Sequence, residues 1–152
     1  MFILDENHDK AVKSYYKKHL TKIPLELSQV LSTAHNEIDG KKDGLYKSTH
    51  INHPLCIFAR KSVNNYLFVL HHLEELFKEF RYRREKIHGC EKILPIISKV
   101  PINLTEYNEM IILPNCTPYN NINSIEAYRK YYMVDKRHLA DFEMREKPNW
   151  WK

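Results

Sequence analysis

The feature that most constrains the fold is a long run of apolar residues at helical spacing that begins after Pro54. The apolar positions recur every three or four residues, as on the buried face of an amphipathic helix. They are Leu55, Phe58, Ala59, Val63, Tyr66, Leu67, Val69, Leu70, Leu73, Leu76, Phe77 and Phe80. The pattern predicts either one long helix or two helices with a bend near Ser62, and Gly89 is expected to end it.

Two helices are predicted before this one. The first covers residues 9–19, where apolar residues lie on one side. For the second, Thr21 is the predicted capping residue and Pro24 falls in the first turn, where a missing N–H costs little. Gly40 is expected to terminate this second helix.

A further helix is predicted near the end of the chain. Asn123 and Glu126 resemble a capping box, and an apolar stripe continues from there to Phe142. Residues 99–122 contain three prolines and indicate an irregular connection. Strand-like alternation is almost absent, so the predicted fold is all-α. It is a single compact domain, residues 1–152, of four to five helices with a long irregular connection before the last helix.

Composition narrows the function and the compartment. The 152 residues carry 24 Lys and Arg against 19 Asp and Glu, a net charge of +5, with 9 His and 10 Tyr. Basic, aromatic and histidine-rich composition suits DNA or a nucleotide as partner. Only 3 Gly argue against a glycine-rich phosphate loop. Three cysteines without a C-x-x-C pair favour a reducing cytoplasm. Neither a membrane span nor a signal peptide is expected.

A polar stripe on the second predicted helix is the first candidate site. Its members are His19, Lys22, Glu26, Gln29 and Thr33. This spacing places them along one helix face, with His35 nearby, where histidines and a carboxylate can transfer protons. A desolvated Lys22 can also form a Schiff base with a sugar aldehyde. The alternative is a solvated face with a Lys22–Glu26 ion pair four residues apart.

The loop before Pro54 is the second candidate site. It holds Thr49, His50, Asn52 and His53 just ahead of a predicted helix start. Free N–H groups and the helix dipole favour an anion there, so these side chains are predicted to hold a phosphate. A capping loop and a metal bound by His50 and His53 are the alternatives.

Basic side chains elsewhere form the third candidate site. The predicted contacts to the nucleic-acid backbone are Arg81, Arg83, Lys86, Arg129 and Lys136. Arginine interleaved with tyrosine suits phosphate contact and base stacking, although cations also complement the end of a helix. Trp150 and Trp151 either stack on bases or pack back onto the domain.

Several of these segments together resemble a family of small phage and viral proteins of the pyrimidine-dimer DNA glycosylase type. The matching segments are Lys18-His-Leu-Thr-Lys-Ile-Pro-Leu-Glu26, Ser32-Thr-Ala-His35, Leu45-Tyr-Lys-Ser-Thr-His-Ile-Asn-His-Pro54, Asn65-Tyr66, Tyr82-Arg83 with Lys86 and His88, and Tyr128-Arg-Lys-Tyr-Tyr132. The resemblance extends over nearly the whole chain. A more distant resemblance, to characterised pyrimidine-dimer glycosylases, implies an all-α enzyme that attacks the sugar of a damaged nucleotide with an N-terminal amine, aided by a glutamate on an early helix.

In this chain the resemblance implies that Glu26 is that glutamate and that the aromatic end contacts DNA. Residue 2 is Phe, before which removal of Met1 is not expected, so the predicted nucleophile is the Met1 amine or Lys22. The predicted function is a DNA glycosylase or lyase without cofactor. A non-enzymatic viral module that binds a nucleotide, DNA or a host protein is the alternative, and nucleotide hydrolysis ranks last.

Overall fold

A computed structural model describes residues 1–108 and 110–152, and all secondary structure in these residues is helical. The α-helices are α1 (His8–Lys13), α2 (Lys17–Asp39), α3 (Pro54–Ala59), α4 (Val63–Arg84), α5 (Leu94–Ile97) and α6 (Ser124–Met133). Two 3₁₀ turns cover Gly89–Ile93 and Arg137–Leu139. The all-α prediction is confirmed. The described residues form six α-helices rather than four or five, and three of them, α1, α3 and α5, have six residues or fewer.

The first predicted helix is interrupted, and the second begins earlier than expected. Ser14 ends α1 with its N–H donating to Ala11 O, and the chain is extended at Tyr16 before α2 begins. Lys17 N–H donates to Asp141 O at 2.7 Å, which fixes the start of α2. Pro24 therefore lies inside the helix rather than in its first turn, and Thr21 is not the cap.

The long apolar pattern is two helices that meet at Ser62. Its Oγ accepts the Asn65 N–H at 3.2 Å and caps α4. The helix ends before Gly89, because Glu85 adopts a left-handed conformation with φ +52° and its N–H donates to Arg81 O. Gly89 instead begins a 3₁₀ turn.

The predicted cap of α6 is confirmed, but its extent is not. Asn123 Oδ1 accepts the Glu126 N–H at 3.0 Å. The helix ends at Met133, so Phe142 packs on the core from a separate segment.

The core lies between α2 and α4, with α1 and α3 packed against them. Its largest fully buried side chains include Tyr15, Tyr16, Leu20, Leu27, Leu31, Tyr66, Leu73, Leu76 and Tyr132. Ile3 and Leu4 are also buried, so the first residues of the chain are part of this core. Among the residues described, no helix combines the length and apolar character that crossing a membrane requires.

Candidate active site

One cavity of about 500 Å³ brings together the first two candidate sites. The stripe on α2 supplies Lys22, Glu26 and Gln29, which lie on one face because they are three to four residues apart, and the apolar Leu25 and Val30 line the cavity next to them. The loop before α3 contributes Thr49, His50 and His53. Met1, Phe2, Leu55, Cys56, Cys116, Tyr128 and Tyr131 complete the lining. The volume is in the range of small-molecule binding sites.

Thr33 joins the two predicted sites. Its Oγ1 accepts the Thr49 N–H at 3.1 Å, and this bond holds the loop against α2. Sequence analysis left the relative placement of α2 and the loop open. The structure thus brings Glu26 into the same cavity as His50 and His53.

Met1 lines this cavity together with Glu26, and its α-amino group is shielded from solvent. Burial lowers the pKa of the amine, and the nearby Glu26 carboxylate opposes this shift, as does Cys116. Glu26 also pairs with Lys22, with Nζ and Oε1 3.5 Å apart. The Lys22 side chain is 70% exposed, so it is solvated while the Met1 amine is not.

His53 lines the cavity, and one of its two ring nitrogens bonds to the protein backbone. Its Nδ1 accepts the Leu55 N–H at 3.1 Å, which caps α3 as the second interpretation of the loop predicted. Neutral His53 therefore carries its proton on Nε2. Burial lowers the pKa of His53, and the Met1 amine and His50 act in the same direction against Glu26. His53 is thus a neutral hydrogen-bond donor beside the amine.

His50 turns the loop in an uncommon backbone conformation. Its φ is +47°, and its carbonyl accepts the His53 N–H at 2.8 Å. Such conformations in residues with side chains occur preferentially at functional sites. Asn52 is exposed and does not line the cavity, unlike the other three predicted residues of this loop.

The two histidines predicted as acid–base groups lie outside the cavity. His19 is buried beside Phe2, and its Nδ1 is 2.7 Å from the Tyr132 hydroxyl. Burial, assisted by Lys136 and the Met1 amine, lowers the pKa of His19 to about 4. His35 is buried on the other part of α2 with Nε2 2.9 Å from the Tyr66 hydroxyl. Both rings are held by tyrosines, and neither lines the cavity, so contact with a substrate there is not supported.

Arg83, one of the five residues predicted to contact the nucleic-acid backbone, is not accessible for such a contact. Its side chain is 0% exposed because it donates to Glu79 and to the carbonyl oxygens of Tyr15 and Lys13. Burial excludes it from DNA.

The other four basic residues remain accessible to different degrees, and none lines the cavity. Arg81 is exposed and paired with Glu91, and Lys86 is exposed. Arg129 donates to Leu4 O at 2.7 Å and to Asp5, so it anchors the first residues of the chain. Lys136 Nζ lies 5.1 Å from the ring centre of Tyr131, which lines the cavity.

The tail packs back onto the domain. Trp151 contacts Tyr16 and Phe142, with ring centres 5.6 and 5.5 Å apart. Trp150 lies under Arg129 at 5.5 Å. The packing interpretation of the tail is therefore the one observed.

Sequence reasoning missed several residues of the cavity wall. Cys116 lies on the irregular connection, where no periodicity indicates a direction. Tyr131 follows Tyr128 by three residues, a spacing that places both on one face of α6. Cys56 was hidden in the apolar pattern of α3. Among the described residues no group of three His, Cys, Asp or Glu side chains is placed to hold a metal, so the metal interpretation of His50 and His53 gains no third ligand.

Comparison of the chain with protein-family models, curated proteins and solved structures found no match in any of the three. The function is therefore argued from the chemistry of the cavity.

Proposed function

We propose that this protein is a DNA glycosylase or lyase that forms a Schiff base between an amine of the cavity and the sugar of a damaged or abasic nucleotide. The observation that carries the proposal is that Met1, whose α-amine has a pKa lowered by burial, lines one cavity together with Glu26. A neutral amine is the form that attacks carbon, and desolvation increases its population near neutral pH.

The reaction would begin when the amine lone pair attacks C1′ of the sugar. On a damaged nucleotide the C1′–N bond breaks and its electron pair leaves with the base, which takes up a proton. Glu26 accepts the proton released by the amine and stabilises positive charge on the sugar. The C1′–O4′ bond then breaks, O4′ takes up a proton, and the nitrogen lone pair forms the C1′=N bond of the protonated imine. At an abasic site the amine instead adds to the open-chain C1′ aldehyde, whose oxygen leaves as water. In the lyase step a base removes a C2′ proton, the C3′–O bond breaks, and the 3′-phosphate leaves with the electron pair.

The Met1 amine is better placed than Lys22 for this chemistry. Both residues line the cavity, but the Lys22 side chain is 70% exposed and paired with Glu26, whereas burial lowers the pKa of the Met1 amine. His53, as a neutral donor, suits hydrogen bonding to a sugar hydroxyl or a phosphate oxygen. His50 and Thr49 lie beside it in the same wall.

DNA as the substrate is supported by charge and by the shape of the site. The chain carries a net charge of +5, and Lys136 lies beside the cavity wall at Tyr131. A cavity of about 500 Å³ takes a single nucleotide but not a duplex, so the target nucleotide would leave the base stack.

Borohydride trapping tests the proposal directly. Labelled duplexes carrying one abasic site or one pyrimidine dimer are incubated with the protein and reduced, and the adduct is mapped by peptide mass spectrometry. The intact mass of the purified protein first establishes that Met1 is its first residue. We expect an adduct on the Met1 amine. A version with two residues added before Met1 should lose it, whereas Lys22→Ala should retain it.

Other outcomes separate the alternatives. An adduct on Lys22 keeps the lyase function but changes the nucleophile. Salt-sensitive DNA binding without an adduct or strand cleavage contradicts the proposal and favours the binding module. Absence of DNA binding leaves free nucleotides and protein partners.

A further inference from the structure

A chain of hydrogen bonds connects the surface of the protein to the peptide that follows Met1. The ring nitrogens His8 Nδ1 and His72 Nδ1 are 3.1 Å apart, and His72 Nε2 is 2.9 Å from the Tyr15 hydroxyl. That hydroxyl accepts the Phe2 N–H at 2.7 Å and donates to Phe2 O at 2.8 Å. One tyrosine oxygen thus contacts both backbone polar groups of Phe2.

The directions of these bonds follow from the number of protons available. The Tyr15 hydroxyl has one proton, which it donates to Phe2 O, so His72 must donate from Nε2. His72 Nδ1 is then an acceptor, and His8 donates to it from Nδ1. In this arrangement each neutral group of the chain has one defined role, and the tautomers of both histidines are fixed. We call the set formed by His8, His72 and Tyr15 the Phe2 clamp.

The Phe2 clamp lies in the core, where an alternative partner is scarce. His72 is 0% exposed, and so is Tyr15, while His8 is half-buried against Phe68. Burial, with smaller contributions from His8 and the Met1 amine, holds the pKa of His72 well below its ordinary value. The neutral state that the bond directions require is therefore the stable one.

We propose that Tyr15 is a positioning residue of the active site and that, with His72 and His8 behind it, it holds the Met1 α-amine at the cavity that Glu26 also lines. This inference rests on the proposed function, in which the Met1 amine is the nucleophile. The first peptide of a chain normally moves freely, and immobilising a nucleophile near its target is a large part of catalytic rate. Because the backbone N–H and C=O of Phe2 are both held, the Met1 amine can move only by rotation about the bonds of Met1 itself.

Tyr15→Phe tests the clamp, and Tyr66→Phe is its matched control. Tyr66 is a buried tyrosine whose hydroxyl has two partners, Ile97 O at 2.7 Å and His35 at 2.9 Å, against three for Tyr15, and it does not line the cavity. Both substitutions remove one buried hydroxyl and leave partners unpaired, so both should destabilise the fold similarly. Only Tyr15→Phe should change the chemistry of the amine.

The first measurement is independent of any reaction with DNA. The Met1 amine is labelled with an acetylating reagent under native conditions, and peptide mass spectrometry follows its rate against the surface lysines. We expect labelling of the amine to rise about fivefold or more in Tyr15→Phe and to be unchanged in Tyr66→Phe. The second measurement is the single-turnover rate of borohydride-trapped adduct on abasic duplex at saturating protein. It should fall about tenfold or more in Tyr15→Phe, with the Kd for the duplex within twofold of wild type.

His72 keeps the test decisive if Tyr15→Phe does not fold. His72→Leu removes the donor behind Tyr15, and His72→Gln restores an amide donor. We expect faster amine labelling in His72→Leu and recovery in His72→Gln. The proposal is overturned if labelling in folded Tyr15→Phe and His72→Leu matches that of Tyr66→Phe. Absence of any adduct in the wild-type protein instead contradicts the proposed function, while the labelling result still decides the clamp.

Discussion

Two clusters of charged residues in this protein have similar composition and opposite organisation. In the cavity, the Met1 amine, Lys22 and Glu26 face an open space with one ion pair of 3.5 Å between exposed side chains. At the end of α4, Arg83 is enclosed and donates to Glu79 at 2.6 Å. Arg145 donates to both Glu79 oxygens at 2.8 Å. We call the latter the Arg83 cluster, formed by Glu79, Arg83 and Arg145.

The two clusters differ in whether their charged groups are available for a reaction. Burial raises the pKa of Glu79, but hydrogen bonds from Arg145 and Arg83 outweigh this and hold it below its ordinary value. Both carboxylate oxygens of Glu79 therefore bond to arginines of the protein itself. In the cavity, burial lowers the pKa of the Met1 amine although the charge of Glu26 opposes the shift, and the proposed reaction requires the neutral amine that this favours. Substitutions in the cavity should therefore change chemistry, and those in the Arg83 cluster should change stability.

The largest expected effect is on catalysis at Glu26. Glu26→Gln removes the proton acceptor but keeps the size of the side chain, so adduct formation should fall by about 10²- to 10⁴-fold. Stability should change by less than about 1 kcal/mol, because the ion pair with Lys22 is exposed. Single-turnover trapping and thermal melting measure the two quantities.

Glu37→Gln is the matched control on the same helix. Glu37 is exposed, does not line the cavity, and accepts from Ser48, which a glutamine oxygen can also do. It should leave trapping unchanged. A Glu26→Gln protein that traps at the wild-type rate would contradict the assigned role, and unchanged DNA binding without any wild-type reaction would favour the binding module.

The second effect is on stability at the Arg83 cluster. Arg83→Met leaves Glu79 buried with one partner fewer and leaves the carbonyls of Lys13 and Tyr15 without their donor. The free energy of unfolding should fall by about 3 to 5 kcal/mol, measured by urea denaturation. Lys13→Met is the control, because its pair with Asp9 joins side chains that are 42% and 49% exposed and is worth about 0 to 1 kcal/mol. Equal losses in the two variants would contradict the comparison.

A third effect, of roughly 3 kcal/mol at most, concerns pH. The pKa of His19 is about 4 in the folded chain against 6.5 when unfolded, so the unfolded state binds more protons between these values. The contribution is complete above pH 6.5 and is lost as the pH falls towards 4. Urea unfolding at pH 7, 5.5 and 4 measures it. His19→Asn should flatten the slope relative to wild type, whereas substitution of the exposed His71 should not.

The helices were predictable because periodicity and capping are local. Asn123 caps α6, and the bend at Ser62 was one of two stated outcomes. The break before Tyr16 was not predictable, because the partner that ties α2 is Asp141, far along the chain. In the site, the spacing of Lys22, Glu26 and Gln29 predicted one face correctly.

The sequence did not reveal which side chains tertiary packing would bury. An arginine in a basic run has the same letter whether it is exposed or enclosed, and only packing distinguishes Arg83 from Arg81. The same holds for His19 and His35, which titrate near neutral pH in isolation but here are buried, each with one ring nitrogen bonded to a tyrosine hydroxyl. That the first residues of the chain enter the core, with Tyr15 binding Phe2, has no periodic signature.

The smallest expected effect locates the path of the DNA backbone. Lys136 lies beside the cavity at Tyr131, and Lys86 lies beyond the end of α4, near the Arg83 cluster in sequence. If the backbone passes the cavity, Lys136→Ala should weaken binding to an abasic duplex several-fold and reduce the slope of log K against log salt by about 0.9, the value for one phosphate contact. Lys86→Ala should leave the slope unchanged. If Lys86→Ala reduces the slope and Lys136→Ala does not, the duplex binds at the end of α4 rather than at the cavity. Only a nucleotide outside the duplex could then enter the cavity.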